Sequence, residues 1–207
     1  MNHSGERRND DAGQNFEVIM VDMPQNDALS RTMTAEQLAA LDLPGKWTEL
    51  VRGRLVVREP PGTRHGYVSA NALYLLAQYV KPRGLGLLFS QDTGFKVGSN
   101  PDTVRAPDVA FVDRDRAWLV RDRGYSSVVP NLVVEVLSPG DSPLEVRGKV
   151  EEWLSVGVEL AWVVDPDRKE VRVHRTDASV RVVSEHAVLD GDPVFRDFSC
   201  SVAQFFA

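Results

Sequence analysis

Pro130-Asn131-Leu132-Val133-Val134-Glu135-Val136-Leu137-Ser138 is an almost unbroken apolar run with a single carboxylate near its middle. Its length and β-branched content read as a buried strand. Arg105-Ala106-Pro107-Asp108-Val109-Ala110-Phe111-Val112 has the same form, again with one acid among apolar neighbours. An unpaired carboxylate in such a place costs several kcal/mol or takes up a proton. Two of them in core strands therefore point to a shared cation, base or hydrogen-bond network, and to an enzyme. Asp108 shares a strand face with Ala110 and Val112, and Glu135 shares one with Val133 and Leu137, so neighbouring strands would aim both acids at one spot.

Outward from these strands the pattern is α/β. The Glu135 strand ends at Ser138-Pro139-Gly140. Ser142-Pro143-Leu144-Glu145 then opens a helix that runs to Gly157, with Ser at the cap, Pro at the first helical position and Glu three residues after the cap. Its apolar face carries Val146, Val150, Trp153 and Leu154, with Lys149 on the flank of that face. Leu160–Val164 and Glu170–Arg175 read as a hairpin across Asp165-Pro166-Asp167-Arg168, followed by a weaker strand near Val180–Val183 and a short helix around Val202–Phe206.

Toward the N-terminus, short strands are expected at Leu85–Ser90 and Gly94–Val97, and a charged loop from Asp113 to Arg123. A long helix from about Arg64 to Val80 places Val68, Ala72, Leu75, Leu76 and Tyr79 on one stripe, with His65 on the same stripe in the first turn. An N-terminal hairpin pairs Trp47–Val51 with Leu55–Val57 across Arg52-Gly53. Thr34-Ala35-Glu36-Gln37 reads as a capping box that opens a short helix, stopped by Pro44-Gly45. Residues 1–15 are polar and read as a flexible tail, leaving 16–207 as a single domain.

Composition narrows the function classes. The chain has 207 residues, 43% hydrophobic and 26% charged, which suits one globular domain with a substantial core. A formal net charge of −6 argues against a generic nucleic-acid coat, though not against a local basic groove. Arg114, Arg116, Arg121 and Arg123 form the best local basic patch, and are otherwise an ordinary solvated loop. The one cysteine, Cys200, has no intramolecular partner, and no Cys/His zinc spacing occurs. No apolar run has the length of a membrane span, and residues 1–15 lack the apolar stretch of a signal peptide. The cytoplasm is the expected compartment, with no membrane partner.

Two carboxylates on adjacent strands suit a hard divalent cation such as Mg²⁺, and the backbone carbonyl of Val136 is a third candidate ligand. Such an ion lowers the pKa of a bound water and offsets charge as a phosphodiester is attacked. Lys149 is the candidate for the accompanying ammonium, because the chain has only five lysines and this one follows Glu135 on the next helix. Its bland alternative is a surface pair with Glu145 or Glu152 on its own helix. For Asp108 the alternative is a strand-end acid accepting from loop amides. Ser138 reads as a strand end, since no His-acid pair stands beside it to make it a nucleophile.

Pro107-Asp108, Glu135-Val136-Leu137-Ser138-Pro139, Lys149 on a helix, and Gly157-Val158-Glu159 leading into Ala161-Trp162-Val163-Val164-Asp165-Pro166 together resemble the Uma-two family of "putative restriction endonucleases". That family belongs to the PD-(D/E)XK nuclease superfamily. The resemblance extends to Glu49-Leu50-Val51-Arg52-Gly53-Arg54-Leu55 and Arg64-His65-Gly66, and so covers about Thr34 to Phe206. It implies a restriction-endonuclease-like mixed sheet flanked by helices, here with an extra N-terminal hairpin. It also implies an endodeoxyribonuclease using Mg²⁺, with Mn²⁺ as a substitute, and DNA as substrate. Asp108, Glu135 and the Val136 carbonyl are the implied metal ligands, Lys149 the implied catalytic lysine, and Glu49 and His65 further site residues.

Two departures stand out. The superfamily lysine usually sits two residues after the second acid, where this chain has Leu137, and Trp153 stands where the family often has Tyr. Three readings follow: the DNA nuclease; a noncatalytic binding or regulatory protein that keeps the metal pocket; and an enzyme acting on RNA or a small phosphodiester. By analogy with other small nuclease folds, pairing of exposed sheet edges into a homodimer is expected.

Overall fold

A computed structural model describes residues 32–207; the tail assigned to residues 1–15 and the domain boundary at residue 16 lie outside the described residues. Helix α1 (Ala35–Ala39) starts with the expected capping box: the Thr34 hydroxyl accepts from the Gln37 backbone, and the Gln37 side chain accepts from the Thr34 backbone. Strands β1 (Trp47–Val51) and β2 (Arg54–Arg58) form the hairpin, closed by Arg52 and Gly53, both at positive φ. Two consecutive left-handed residues make the turn whose twist matches that of paired strands, which is why Gly stands there. Helix α2 (Thr63–Arg83) follows and ends at Gly84, also left-handed.

β3 (Gly86–Ser90), β4 (Phe95–Gly98), β5 (Thr103–Arg105) and β6 (Val109–Asp113) lead into a tight 3₁₀ turn over Arg114–Leu119. β7 (Leu132–Val136), helix α3 (Pro143–Ser155) and β8 (Leu160–Asp165) form a strand-helix-strand unit. The chain closes with β9 (Glu170–Arg175), β10 (Val180–Ser184), β11 (Val188–Gly191), β12 (Phe195–Ser201) and a 3₁₀ turn at Val202–Phe205. Ser142 caps α3 by position only, as its side chain makes no capping bond.

The strands form a six-stranded sheet in the order β10-β9-β8-β7-β6-β3, a four-stranded sheet in the order β2-β1-β5-β4, and the β11–β12 hairpin. In the larger sheet β7 and β8 run parallel, as a helical crossover between them requires, and the other pairings are antiparallel. The result is the expected mixed α/β architecture. One refinement concerns the N-terminal hairpin, which is not a separate addition: β1 also pairs with β5 and so belongs to the smaller sheet.

The stretch from Arg105 to Val112 reads as one strand in the sequence, but it folds as parts of two. β5 ends at Arg105 in the smaller sheet and β6 begins at Val109 in the larger. Pro107 sits in the break, where its missing N–H and fixed φ interrupt the ladder. The β11–β12 hairpin has no clear signal in the sequence. Phe195 and Phe198 both face the core although they are three apart, because the register shifts at Asp190/Gly191, and this spacing fits no period-2 pattern.

The central strands of the larger sheet, β6, β7 and β8, are buried on both faces. Val109, Phe111, Leu132, Val134 and Val136 pack toward Val68, Ala72, Leu76 and Val80 of α2, with Phe195, Phe198 and Phe205 extending the layer. Ala110, Val112, Val133, Ala161 and Val163 pack toward Val150 and Trp153 of α3. No helix among the described residues is long and apolar enough to cross a membrane.

Candidate active site

The β6–β7 register pairs Val109 with Val134, which puts Asp108 beside Glu135 at the end of the two strands. The pleat turns Glu135 to the α3 side of the sheet, where it is 7% exposed. On α3, Lys149 and Trp153 are four residues apart and so share a face. Both reach Glu135: the Lys149 ammonium donates to Oε2 at 2.8 Å and the Trp153 indole N–H donates to Oε1 at 2.8 Å. Lys149 therefore pairs with the strand acid, not with Glu145 or Glu152 on its own helix.

Three further elements close around this pair. Glu49 comes from β1, with Oε1 3.4 Å from the Lys149 ammonium and accepting the Ala106 backbone N–H at 2.9 Å. Its Oε2 accepts from the Arg105 guanidinium at 3.0 Å, and Arg105 also donates to Glu152. Asp108 Oδ2 accepts the Val136 backbone N–H at 2.6 Å and lies 3.2 Å from Nε2 of His65, in the first turn of α2. A carboxylate only accepts, so Nε2 carries the proton there, and Nδ1 lies 3.4 Å from the Ser69 hydroxyl.

The electrostatics follow from this packing. Burial, aided by the charge of Asp108, raises the Glu135 carboxyl to about 7 against the opposing pull of Lys149. Burial also works against the charge on Lys149, but Glu135, Glu49 and Asp108 outweigh it and hold its pKa above the usual lysine value. Glu49 is held down at about 2: burial alone would raise it, and the cations Lys149 and Arg105 more than reverse that. His65 is desolvated, which favours the neutral ring, yet its bond to Asp108 brings the net shift upward.

Glu49, His65, Asp108, Glu135, Val136 and Lys149, each a candidate from the sequence, thus meet in one connected cluster. Asp108 also satisfies the Val136 amide, so its structural role and any role in chemistry coexist. Three participants were not singled out from the sequence as site residues. Arg105 and Glu152 sit in ordinary charged contexts and gave no signal. In the sequence Trp153 reads only as part of the apolar face, yet its indole N–H supplies Glu135 with a donor. Replacing Trp153 by Phe is expected to cost about 1–3 kcal/mol by leaving a buried acceptor short of its donor, read as a lower denaturation midpoint in urea.

Leu137 packs among the apolar residues below α3, so the strand position two residues after Glu135 is occupied by core and Lys149 arrives from the helix. β7 ends at Val136, and Ser138 lies just past it in the turn, its backbone N–H donating to Asp141 at 2.8 Å. Arg114, Arg116, Arg121 and Arg123 lie outside the cluster, on and after the turn at the far end of β6. A cleft of about 520 Å³ opens beside the cluster and shares His65 with it; Leu137, Arg147, Asp165 and Arg172 are among its walls.

Among the described residues no group of three or more His, Cys, Asp and Glu side chains is gathered in metal-holding geometry. Asp108 and Glu135 offer hard carboxylate oxygens, the donor type that suits an ion keeping most of its waters. Both contacts of Asp108 fall on Oδ2, which leaves Oδ1 available. Glu49, Glu135 and Glu152 share two permanent cations, Lys149 and Arg105, and Asp108 faces only His65, so the cluster holds more acids than permanent cations.

A family model, Uma2, described as "Putative restriction endonuclease", matches residues 35–203. The fold is similar to the crystal structure of a "putative nuclease belonging to DUF820" from Anabaena variabilis ATCC 29413, with a TM-score of 0.72 over 84% of this chain and 97% of that one, at 20% identity. No curated protein matches the chain.

Proposed function

Since the chain belongs to the Uma2 family, described as "Putative restriction endonuclease", we propose that its buried acidic cluster is the centre of a Mg²⁺-dependent endonuclease acting on DNA. The observation that carries this reading is the convergence of Asp108 and Glu135, from adjacent strands, with the Lys149 ammonium that α3 brings to Glu135. Asp108, Glu135 and the Val136 carbonyl are the residues that would hold the ion. When bound, Mg²⁺, or Mn²⁺ in its place, lowers the pKa of a water and offsets charge on the phosphodiester.

The chain's own groups do the rest. Lys149 keeps its proton at neutral pH, so it serves as a donor and a fixed positive charge that orients the water and stabilises negative phosphate oxygens, not as a base. Trp153 fixes the rotamer of Glu135, and the Val136 amide with His65 fixes that of Asp108. Glu49, itself held by Arg105, holds the Lys149 ammonium in place from the smaller sheet, and both act by positioning. DNA and its cleavage sites would approach from the side of the adjoining cleft.

The test is nicking of supercoiled plasmid by the purified protein with Mg²⁺ or Mn²⁺, set beside EDTA and the Asp108→Ala variant. Metal-dependent nicking that the variant and EDTA both abolish is the expected result. An intact wild type that nicks with neither metal overturns the reading. One observation favours a second one: both oxygens of Glu135 already accept hydrogen bonds from the protein, as they would in a noncatalytic binding or regulatory protein of the same fold. Calorimetry showing metal binding without cleavage of any nucleic acid would select it. Pairing of an exposed sheet edge, β10 or β3, into a homodimer is part of the same proposal, and light scattering after size exclusion measures it.

A further inference from the structure

Trp118 is 79% exposed, although an indole is among the side chains that gain most from burial. It is not a loose side chain. Its Nε1–H donates to the Asp115 carbonyl at 3.0 Å, which holds the ring against its own turn and leaves a ring face in solvent. The turn is itself anchored: the Asp113 carboxylate accepts the Asp115 amide at 2.9 Å, the Arg114 amide donates to the Leu85 carbonyl at 2.8 Å, and the Ser126 hydroxyl donates to the Leu119 carbonyl at 3.2 Å. A rigid, pre-oriented aromatic face loses little freedom when something stacks on it.

Its surroundings favour one kind of occupant. Arg114, Arg116, Arg121 and Arg123 flank the indole in sequence, and among the described residues none of the four makes an ion pair. Elsewhere among the described residues Arg58, Arg64, Arg105, Arg147, Arg168, Arg172, Arg175 and Arg181 pair with carboxylates, while Arg52, Arg54, Arg83 and Arg196 do not. Asp113, Asp115 and Asp122 interleave with these arginines, and Asp113 accepts the turn's own amide, so the segment keeps four unpaired guanidiniums and a small net positive charge beside one fixed, exposed indole, the two features that bind unpaired nucleic acid: a charge track for phosphates and a platform for a base.

We propose that Trp118 is a stacking platform for an unpaired nucleobase and that the neighbouring arginines take the adjoining phosphates, so that this protein engages nucleic acid with single-stranded character. The proposal rests on the nuclease reading for its biological sense but on different residues. β6 separates the platform from Asp108 by its full length of five residues, or roughly 17 Å at strand spacing. Trp118 therefore lies outside the acidic cluster and selects substrate without touching the reacting atoms.

The experiment is anisotropy titration of labelled single-stranded and duplex oligonucleotides with the full chain in EDTA, comparing wild type, Trp118→Ala and Trp118→Phe, with plasmid nicking run in parallel. The expected result is a preference for the single strand that falls roughly ten- to a hundred-fold in Trp118→Ala and by clearly less in Trp118→Phe, which keeps an aromatic face for stacking but loses the Nε1–H bond that pre-orients it. Equal affinity of wild type and Trp118→Ala for the single strand overturns the proposal. So does a Trp118→Ala variant that loses a dimer seen by light scattering while binding the oligonucleotide unchanged, which would make this face a contact between copies. Absent nicking with intact Trp118-dependent binding removes the nuclease reading alone, and nicking with Trp118-independent binding removes this proposal alone.

Discussion

The Glu135→Ala variant is expected to lose at least about a thousand-fold in metal-dependent cleavage while remaining folded, because it removes a ligand and the partner of Lys149 together. A variant that cleaves at the wild-type rate would sink the mechanism. The isosteric change to Gln adds a second readout that does not depend on activity. In the folded protein burial raises the Glu135 carboxyl to about 7. A raised pKa means that the folded chain binds the proton more tightly than the unfolded chain does. The associated stability is complete below the ordinary carboxyl value and is lost as pH rises through about 7. In EDTA, Glu135→Gln is therefore expected to melt level with wild type near pH 4 and above it near pH 8. Parallel melting curves at both values would mean that the folded environment does not penalise the charge.

Lys149→Met is expected to give the largest loss of stability. It deletes the ammonium that contacts Glu135 at 2.8 Å and Glu49 at 3.4 Å, both nearly inaccessible to water. Removing one partner of a buried pair leaves an uncompensated charge, and the cost is about 3–5 kcal/mol. Urea denaturation in EDTA should show that loss, and cleavage should fall by roughly a hundred- to a thousand-fold. Added Mg²⁺ is expected to recover more stability in this variant than in wild type, since the freed carboxylates gain a cation that binds only the folded cluster. A Lys149→Met protein as stable as wild type in EDTA would show that the ammonium is a surface group after all.

The acids were legible in the sequence because a lone carboxylate inside an apolar strand has few structural explanations, and Val-Val-Glu-Val-Leu leaves almost no room for one. Lys149 was legible by its place on the helix after that strand. Arg105 and Glu152 were not, because their pairing joins residues 47 apart in the chain and neither carries a local pattern. Trp153 fits the apolar stripe of α3, and nothing in a helical spacing shows that its single polar atom meets an acid from another element. The helices and the β1–β2 and β8–β9 hairpins followed from caps, stripes and turn residues. The break at Pro107 was visible in principle, since proline interrupts a strand ladder, but the apolar run on both sides read as continuous. The last two strands depend on a register shift that exists only once they are paired.

The cluster draws Glu49 from β1, His65 from α2, Asp108 from the crossing between the sheets, Glu135 from β7 and Lys149 from α3. Its members therefore span about half of the chain, and no short segment contains enough of them to gather the charges. Such long-range closures come late in folding, after the loops between them have been closed at an entropic cost. A chain still emerging from the ribosome lacks the centre until α3 has been made and packed against the sheet. The chemistry thus belongs to the finished fold alone, and a truncated or half-folded product carries the acids without the ammonium that sets their charge.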